Sequence, residues 1–467
     1  MSDKIVRKHS RARIEEMVRT LRGEIVSGHY ALEQFLPSES DLEKRFRLGN
    51  GSVRKGLEVL VEEGLITKIP KVGNKVTGSA AEECVTVRLG VYTTTDSETE
   101  LSALLELFHR RYPAIRVQTV LIPTSEYASF VREQMDAGML DAATINYNTF
   151  RGLSAELKER LLEPLEPSED CYPFASGPFV HNDSLLVRPL MFSPLVLCYN
   201  KDHLQELGLP EPAAGWSWDK LLEVASKLAV ENSRFGFCFH LLSRNRWPVF
   251  LLQSGIRFLP DGDGVYRLPE DRLIECLDVC RTLINRPDVF PTMLSGRDGT
   301  TVEWFLDGKV SMIMTTYFAL NRLKHADFTY DLAPLPTVKE DRTLLTMIGA
   351  VVSRQSEVKE SARLLVDFLG SREAQSLIRR HTLSIPANRA AAEAPWEGEE
   401  TFRRPSRFDV YRELIPSYRL LEHLPASNRD LQAMQKEVEL YWTGLQDGET
   451  TCRRIEQALQ EANAKPN

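Results

Sequence analysis

Ser52, Arg54 and Lys55 stand together at the start of a segment whose apolar residues Val53, Leu57, Leu60 and Val61 recur at helical spacing. Hydroxyl, guanidinium and ammonium groups in the first turns of an exposed helix can donate to the phosphates and base edges of a DNA duplex. Ser38 opens a shorter helical stretch, and a helix N-terminus suits a phosphate. A second set of residues has different chemistry. Thr94 and Thr95, Asn146, Tyr147 and Asn148, Ser193, and Tyr317 lie at or near the ends of apolar, strand-like runs, and Arg244, Asn245, Arg246 and Trp247 precede an apolar helix. Ligands of open α/β sheets bind beyond the carboxyl ends of strands. Amides, hydroxyls and Arg groups can hold the hydroxyls of a sugar, while flat aromatic faces cover its C–H faces. Tyr147, Trp247 and Tyr317 are therefore expected as platforms on the wall of one cleft.

Other chemistries find no support. There is no phosphate loop, nucleophile elbow or HExxH motif, so no enzyme, cofactor or catalytic residue is expected. The seven Cys are scattered, and Cys276 and Cys280, an i, i+4 pair, lack the further ligands that a zinc site needs. Asp261-Gly262-Asp263-Gly264 lacks the later Glu of a calcium loop and reads as a hairpin turn. No metal site is expected.

These residues need elements to hold them. Pro37 and Ser38 start a helix that ends near Phe46, with Ser38 as its cap and Asp41 as a capping-box partner. Gly49-Asn50-Gly51 is a turn, and a second helix follows to Gly64. Beyond residues 78 to 84, a small polar linker, strand and helix patterns alternate, which argues for α/β architecture. VTVRLGVYT and IRVQTVLIP read as strands around a helix at 98–111, and LDAATIN as a third. Residues 188–199 read as two short strands, Ser217 as the cap of a helix from Trp218, and the last sixty residues as mostly helical.

The 467 residues suffice for about three domain-sized units. Composition is ordinary, at 42% hydrophobic and 27% charged, with net charge -8. The charge is uneven: residues 1–78 carry 15 Lys and Arg against 11 Asp and Glu, a net of +4, so the rest carries -12. A basic head on an acidic body agrees with a DNA-facing N-terminal part. The N-terminus has no apolar run after its charges and no stretch is long enough to span a membrane, so a cytoplasmic protein is expected.

Residues 12–77 resemble the winged helix-turn-helix of GntR-type transcription regulators. The resemblance rests on Ser27-Gly28, Leu36-Pro37-Ser38-Glu39, Phe46, Val53-Arg54, Glu63-Gly64-Leu65-Ile66 and a wing around Gly73-Asn74-Lys75-Val76. It implies operator DNA as partner, a homodimer, and Ser38, Glu39, Arg47, Asn50, Ser52, Arg54, Lys55, Asn74 and Lys75 as DNA-contacting residues. Two positions depart from the family pattern. Its Ser-Arg before the recognition helix is Gly49-Asn50 here, and its Ala within that helix is Gly56, a change worth about 1 kcal/mol of helix stability.

Residues 85 to 462 resemble the extracellular solute-binding proteins of sugar ABC importers. The blocks are Phe108–Val117, Leu195–Leu228 with Tyr199-Asn200-Lys201-Asp202 and Trp216-Ser217-Trp218-Asp219, Phe305–Pro336 with Asp307-Gly308-Lys309, and Ala362–Pro386. The resemblance implies two α/β lobes around a hinge with a small carbohydrate between them. The expected multidomain chain is thus an α+β winged helix at 8–78, a linker at 79–84 and a two-lobed sensing fold with a helical C-terminus at 85–467. The function implied is a ligand-responsive transcription regulator. The alternative is a cytoplasmic solute-binding protein whose DNA-binding module has reduced or lost activity.

Overall fold

The computed structural model describes residues 13–464 apart from 15, 26–27, 71, 78–83, 124–126, 293–295, 297, 397–401 and 425–427. The expected linker at 79–84 lies outside the described residues except for Cys84, as does Ser27.

The N-terminal module is α1 (residues 16–25), α2 (Glu39–Phe46), α3 (Asn50–Glu62) and a wing of β1 (Ile66–Ile69) and β2 (Gly73–Val76), paired antiparallel. Ser38 caps α2 as its sequence position requires: its hydroxyl accepts from the Asp41 N–H at 3.2 Å and donates to the Asp41 carboxylate at 2.6 Å. The buried stripe of α3 is Val53, Gly56, Leu57 and Leu60, while Val61 is exposed. Gly56 has a packing reason. A Cβ there would stand 2.2 Å from Met17 Cε and 3.2 Å from Val18 Cγ2, so its bare backbone lets α1 approach α3 closely. Packing offsets the low helix propensity of glycine.

The body is built on one ten-stranded mixed sheet. In chain order its first strands and helices are β3 (Val85–Tyr92), α4 (Thr95–Thr99), α5 (Leu101–Arg111), β4 (Ile115–Ile122), α6 (Tyr127–Asp136), β5 (Ala142–Asn146) and α7 (Tyr147–Arg151). The helix expected at 98–111 is broken at Glu100, whose φ of 54° puts it in the left-handed region. Then come β6 (Arg188–Asn200), β7 (Phe235–Cys238), β8 (Val310–Thr316), β9 (Tyr330–Ala333) and β10 (Thr343–Val352). The main path is β4-β3-β5-β10-β6-β8-β7, with β9 also paired to β6.

Residues 188–199, expected as two strands, belong to the single 13-residue strand β6, every residue of which is buried. Its first half pairs with β10 up to Pro194, and from Leu195 onward it pairs with β8. Lobe 1 is the β4-β3-β5 side and lobe 2 the β8-β7 side. β6 and β10 run between them, so the two halves share backbone rather than a loose connection. A Pro within a strand cannot donate to its ladder, and Pro194 marks where β6 changes partner.

Two cores pack against this sheet. One gathers Val87, Leu89, Phe108, Ile145, Phe179, Phe192, Val351 and Leu365; the other gathers Trp218, Phe237, Trp247, Phe250, Leu277, Val438 and Trp442. Helices Asn428–Trp442 and Gly448–Ala464 close the second core against Glu270–Ile284. Cys276 and Cys280 are buried free thiols, and burial pushes the Cys276 thiol up to about 12. Ser217 caps its helix by accepting from the Lys220 N–H, and Asp261 makes the expected turn by accepting from the Asp263 and Val265 N–H groups. Among the described residues, no helix is long and apolar enough to cross a membrane, and no side-chain group could hold a metal ion.

Candidate functional site

A cavity of about 270 Å³ lies between the lobes. Lobe 1 lines it with Tyr92, Thr94, Ser97, Glu98, Asn146, Tyr147 and Asn148, the residues that end β3 and β5 and begin the helices after them. Lobe 2 supplies Asn245, Arg246, Val302, Thr316, Phe318 and Arg322, and β10 lays Leu344 to Ile348 across the back. Three side-chain contacts set its shape. Asn146 caps α7 by accepting from the Thr149 N–H and donates Nδ2 to the Tyr92 hydroxyl at 2.8 Å. The Tyr147 hydroxyl donates to Glu422 Oε2 at 2.6 Å. Asn148 Nδ2 donates across the cleft to Asn245 Oδ1 at 2.6 Å, joining the lobes at the cavity wall.

The cavity has charge of both signs. Glu98 faces it from α4; desolvation pushes its carboxyl up to about 7, against a hydrogen bond from Thr94 that lowers it. Burial likewise pushes the Tyr92 phenol up to about 12. Arg246 is only 4% exposed and donates to the Asn245 carbonyl at 3.0 Å. Arg322 is held by Glu303 at 2.8 Å. Hydroxyl, amide, carboxyl and guanidinium groups around aliphatic and aromatic walls suit a small polyhydroxylated molecule.

Of the residues expected here, Thr94, Asn146, Tyr147, Asn148, Asn245 and Arg246 come together on this wall. Five do not. Trp247 is fully buried in the lobe 2 core, edge-on to Trp442, because the turn into Pro248–Gln253 swings it away from Asn245 and Arg246. Tyr317 is fully buried in the other core, donating to the Phe408 carbonyl at 2.7 Å. The three aromatic platforms therefore do not share a wall; only Tyr147 reaches it. Ser193 is buried within β6, where its hydroxyl accepts from the Tyr317 N–H. Thr95 turns inward and is 2% exposed. Arg244 is exposed and away from the cavity. Sequence reading missed Glu98, Phe318 and Arg322. Glu98 and Phe318 each lie just beyond a strand whose end was singled out, so a window a few residues wider would have included them.

On the winged helix, Ser38, Arg47, Asn50, Arg54 and Lys55 are exposed, and Ser52, Glu39 and Lys75 are partly so. Arg54 Nε donates to Glu39 Oε2 at 2.8 Å, and Lys68 lies 3.8 Å from the same carboxylate. The Arg54 bond holds the Glu39 carboxyl below the usual range. Asn50 donates to Glu43, and Lys75 pairs with Glu33. Asn74 departs from expectation. Only 5% exposed, its side chain turns into the module while its carbonyl accepts from the Leu36 N–H. Alternation along β2 places it on the inner face with Val76.

Replacing Arg54 by Ala is expected to weaken operator binding by about 1–3 kcal/mol, the worth of one base-reading side chain. Fluorescence anisotropy across several salt concentrations checks this; wild-type affinity at every salt would remove Arg54 from the interface.

Comparison with known proteins agrees with this geometry. Residues 103–402 match the family described as bacterial extracellular solute-binding protein, and residues 13–76 match bacterial regulatory proteins of the gntR family. Among solved structures, an ABC substrate-binding protein from Listeria monocytogenes in complex with cycloalternan shares the fold at a TM-score of 0.70 and 19% identity, covering 82% of this chain and 100% of that one. Maltose-bound MalE3 of T. maritima gives 0.70 and 18%, covering 81% and 100%. A binding protein of Brucella abortus (strain 2308) is 23% identical over 211 residues, 44% of this chain and 51% of the relative. The chain thus spans about half the length of the curated relatives it matches. With its cavity framed by two lobes on a shared sheet, the chain belongs to the bacterial extracellular solute-binding protein family, and it carries a gntR-family DNA-binding domain ahead of that fold.

Proposed function

We propose that the chain is a ligand-responsive transcription regulator. It binds operator DNA as a homodimer through the winged helix and senses a small carbohydrate between the lobes, in the cytoplasm where operator DNA is found. The observation that carries this reading is a cavity lined from both lobes, with Asn148 and Asn245 bonded across it, on the same chain as a DNA-binding module. Structures similar to the body hold cycloalternan and maltose, which supports a sugar as effector. Thr94, Glu98, Asn146, Asn148, Asn245 and Arg246 are the residues proposed to hold its hydroxyls, and Tyr147 and Phe318 to cover its C–H faces.

Ligand can alter DNA affinity only by binding one arrangement of the molecule more tightly than another. The coupling must then be reciprocal. A thermal-shift screen of mono- and oligosaccharides identifies a ligand, since one that binds the native state alone raises its stability. Titrating that sugar with and without saturating operator is expected to give two different affinities. The ratio should equal the factor by which the sugar shifts operator affinity. Equal sugar affinities would mean that the modules are uncoupled and would favour a plain binding protein.

A further inference from the structure

The winged helix rests on lobe 1, and the contact is charged. Arg19 of α1 lies 3.5 Å from Glu166, and Arg22, bonded to Glu63 within its own module, borders the same cavity as Glu360 on helix Lys359–Leu369; Glu360 itself lies 3.6 Å from Arg363. Two close approaches flank these charges. A Cβ on Gly23 would meet Leu364 Cδ2 at 3.9 Å, and one on Gly28, whose φ is +75°, would meet Pro113 Cγ at 3.0 Å. Between them is a cavity of about 620 Å³ bordered by Thr20 and His29 on one side and Arg111 and Tyr112 on the other. Arg19 and Arg22 of the module thus meet a body surface that holds Glu166 and Glu360 beside Arg111 and Arg363, while Arg54 and Lys55 of α3 stay exposed.

The lobe 1 side of this contact connects directly to the cleft. Pro113 and Tyr112 follow the C-terminal end of α5, and α5 begins where α4 ends, next to the cavity residues Thr94, Ser97 and Glu98. At that first turn lobe 2 takes hold: Lys324, only 13% exposed, reaches Glu100 at 3.1 Å and the His381 carbonyl at 2.6 Å. Eleven helical residues therefore separate the lobe 2 clamp from the winged helix, a rigid span of about 16 Å.

We propose that the winged helix and lobe 1 are docked as one unit along the seam of Arg19–Glu166, the Gly23 and Gly28 contacts and the cavity that Arg22 and Glu360 border, and that α5 carries lobe movement from the Lys324–Glu100 clamp to the winged helix. The recognition helix stays open in the docked state, so docking orients it without covering it. The meaning of this device for regulation rests on the reading above, but its test needs neither effector nor operator.

The test cross-links the full chain carrying Gly23→Cys and Leu364→Cys with a short bismaleimide. Each single-cysteine variant is run alongside to account for the natural thiols. The double variant is expected to cross-link internally in most molecules, and the single variants are not. Adding Glu166→Arg and Glu360→Arg, both on the surface seam, is expected to slow the cross-link about tenfold, because each sets like charge against like. Arg19→Glu on the Glu166→Arg background is expected to restore part of the rate. Adding Lys324→Ala is expected to change the rate several-fold from a site remote from both cysteines. Circular dichroism of each variant confirms that the chain is folded. No internal cross-link, or a rate indifferent to the charge reversals, overturns the docking. A rate indifferent to Lys324→Ala overturns the role of α5. Either failure leaves the operator and effector tests standing, and failure of those leaves the docking standing.

Discussion

Trp247→Ala is expected to destabilise lobe 2 by about 3–5 kcal/mol, the cost of emptying a fully buried indole site that can collapse only in part. The Trp247 ring meets Trp442 at 6.3 Å and an interplanar angle of 89°, in a core shared with Phe250, Val249 and Leu277. Trp442 in turn donates its indole N–H to the Leu277 carbonyl at 2.9 Å, so the C-terminal helices lose a neighbour as well. Urea denaturation followed by tryptophan fluorescence measures the loss. A variant that unfolds at the wild-type midpoint but binds sugar poorly would return Trp247 to the cleft wall. Asn148→Ala makes the contrasting case: it removes one polar group at the cavity rim and should leave the midpoint nearly unchanged.

Glu98→Gln is expected to raise stability at pH 8 by as much as about 3 kcal/mol, and the gain should vanish in acid. The sign follows from desolvation, which raises the folded carboxyl from 4.5 to about 7. Below pH 4.5 the carboxyl is neutral in both the folded and the unfolded chain, so burying it carries no ionic penalty. As pH rises from there through 7, the unfolded chain ionises freely while the folded chain resists, and stability is lost. Gln keeps a neutral side chain of similar size throughout. The titratable and charged groups on the same cavity wall are Tyr92, Tyr147, Arg246 and Arg322, with Arg322 committed to Glu303. Melting temperatures of both proteins from pH 4.5 to 8.5 give the answer: curves that run parallel would show that Glu98 is ionised in the folded protein at all these pH values.

What could be read from the sequence divides along physical lines. Local chemistry was legible. Ser38 and Ser217 cap the helices that they precede, because a hydroxyl beside unpaired N–H groups acts within one turn. The rule that ligands gather beyond strand ends pointed to Thr94, Asn146, Tyr147 and Asn148, which do line the cavity, since it depends on the order of elements alone. Orientation was not legible. Trp247 and Tyr317 have the right chemistry and the right neighbours in sequence, but which way a ring turns depends on distant partners, Trp442 and Phe408. The same holds for Asn74, which strand alternation sends inward. Gly56 looked like a cost to α3 until Met17, thirty-nine residues earlier in the chain, was seen to fill the space above it. The unity of β6 was hidden too: Pro189 and Pro194, which cannot donate to a ladder, are both held within one buried strand.

The position of β10 bears on how the protein is made. β10 lies between β5 and β6 in the sheet, yet it is translated roughly 200 residues after β5 ends. Until it leaves the ribosome, β5 has an open edge, and lobe 1 cannot close. The winged helix, complete by Val76, has no such wait. A nascent chain therefore carries a finished DNA-binding head well before the cleft exists. Truncated products that end before Thr343 should keep the DNA-binding head and lack the cleft, and their unpaired β5 edge should make them prone to aggregate.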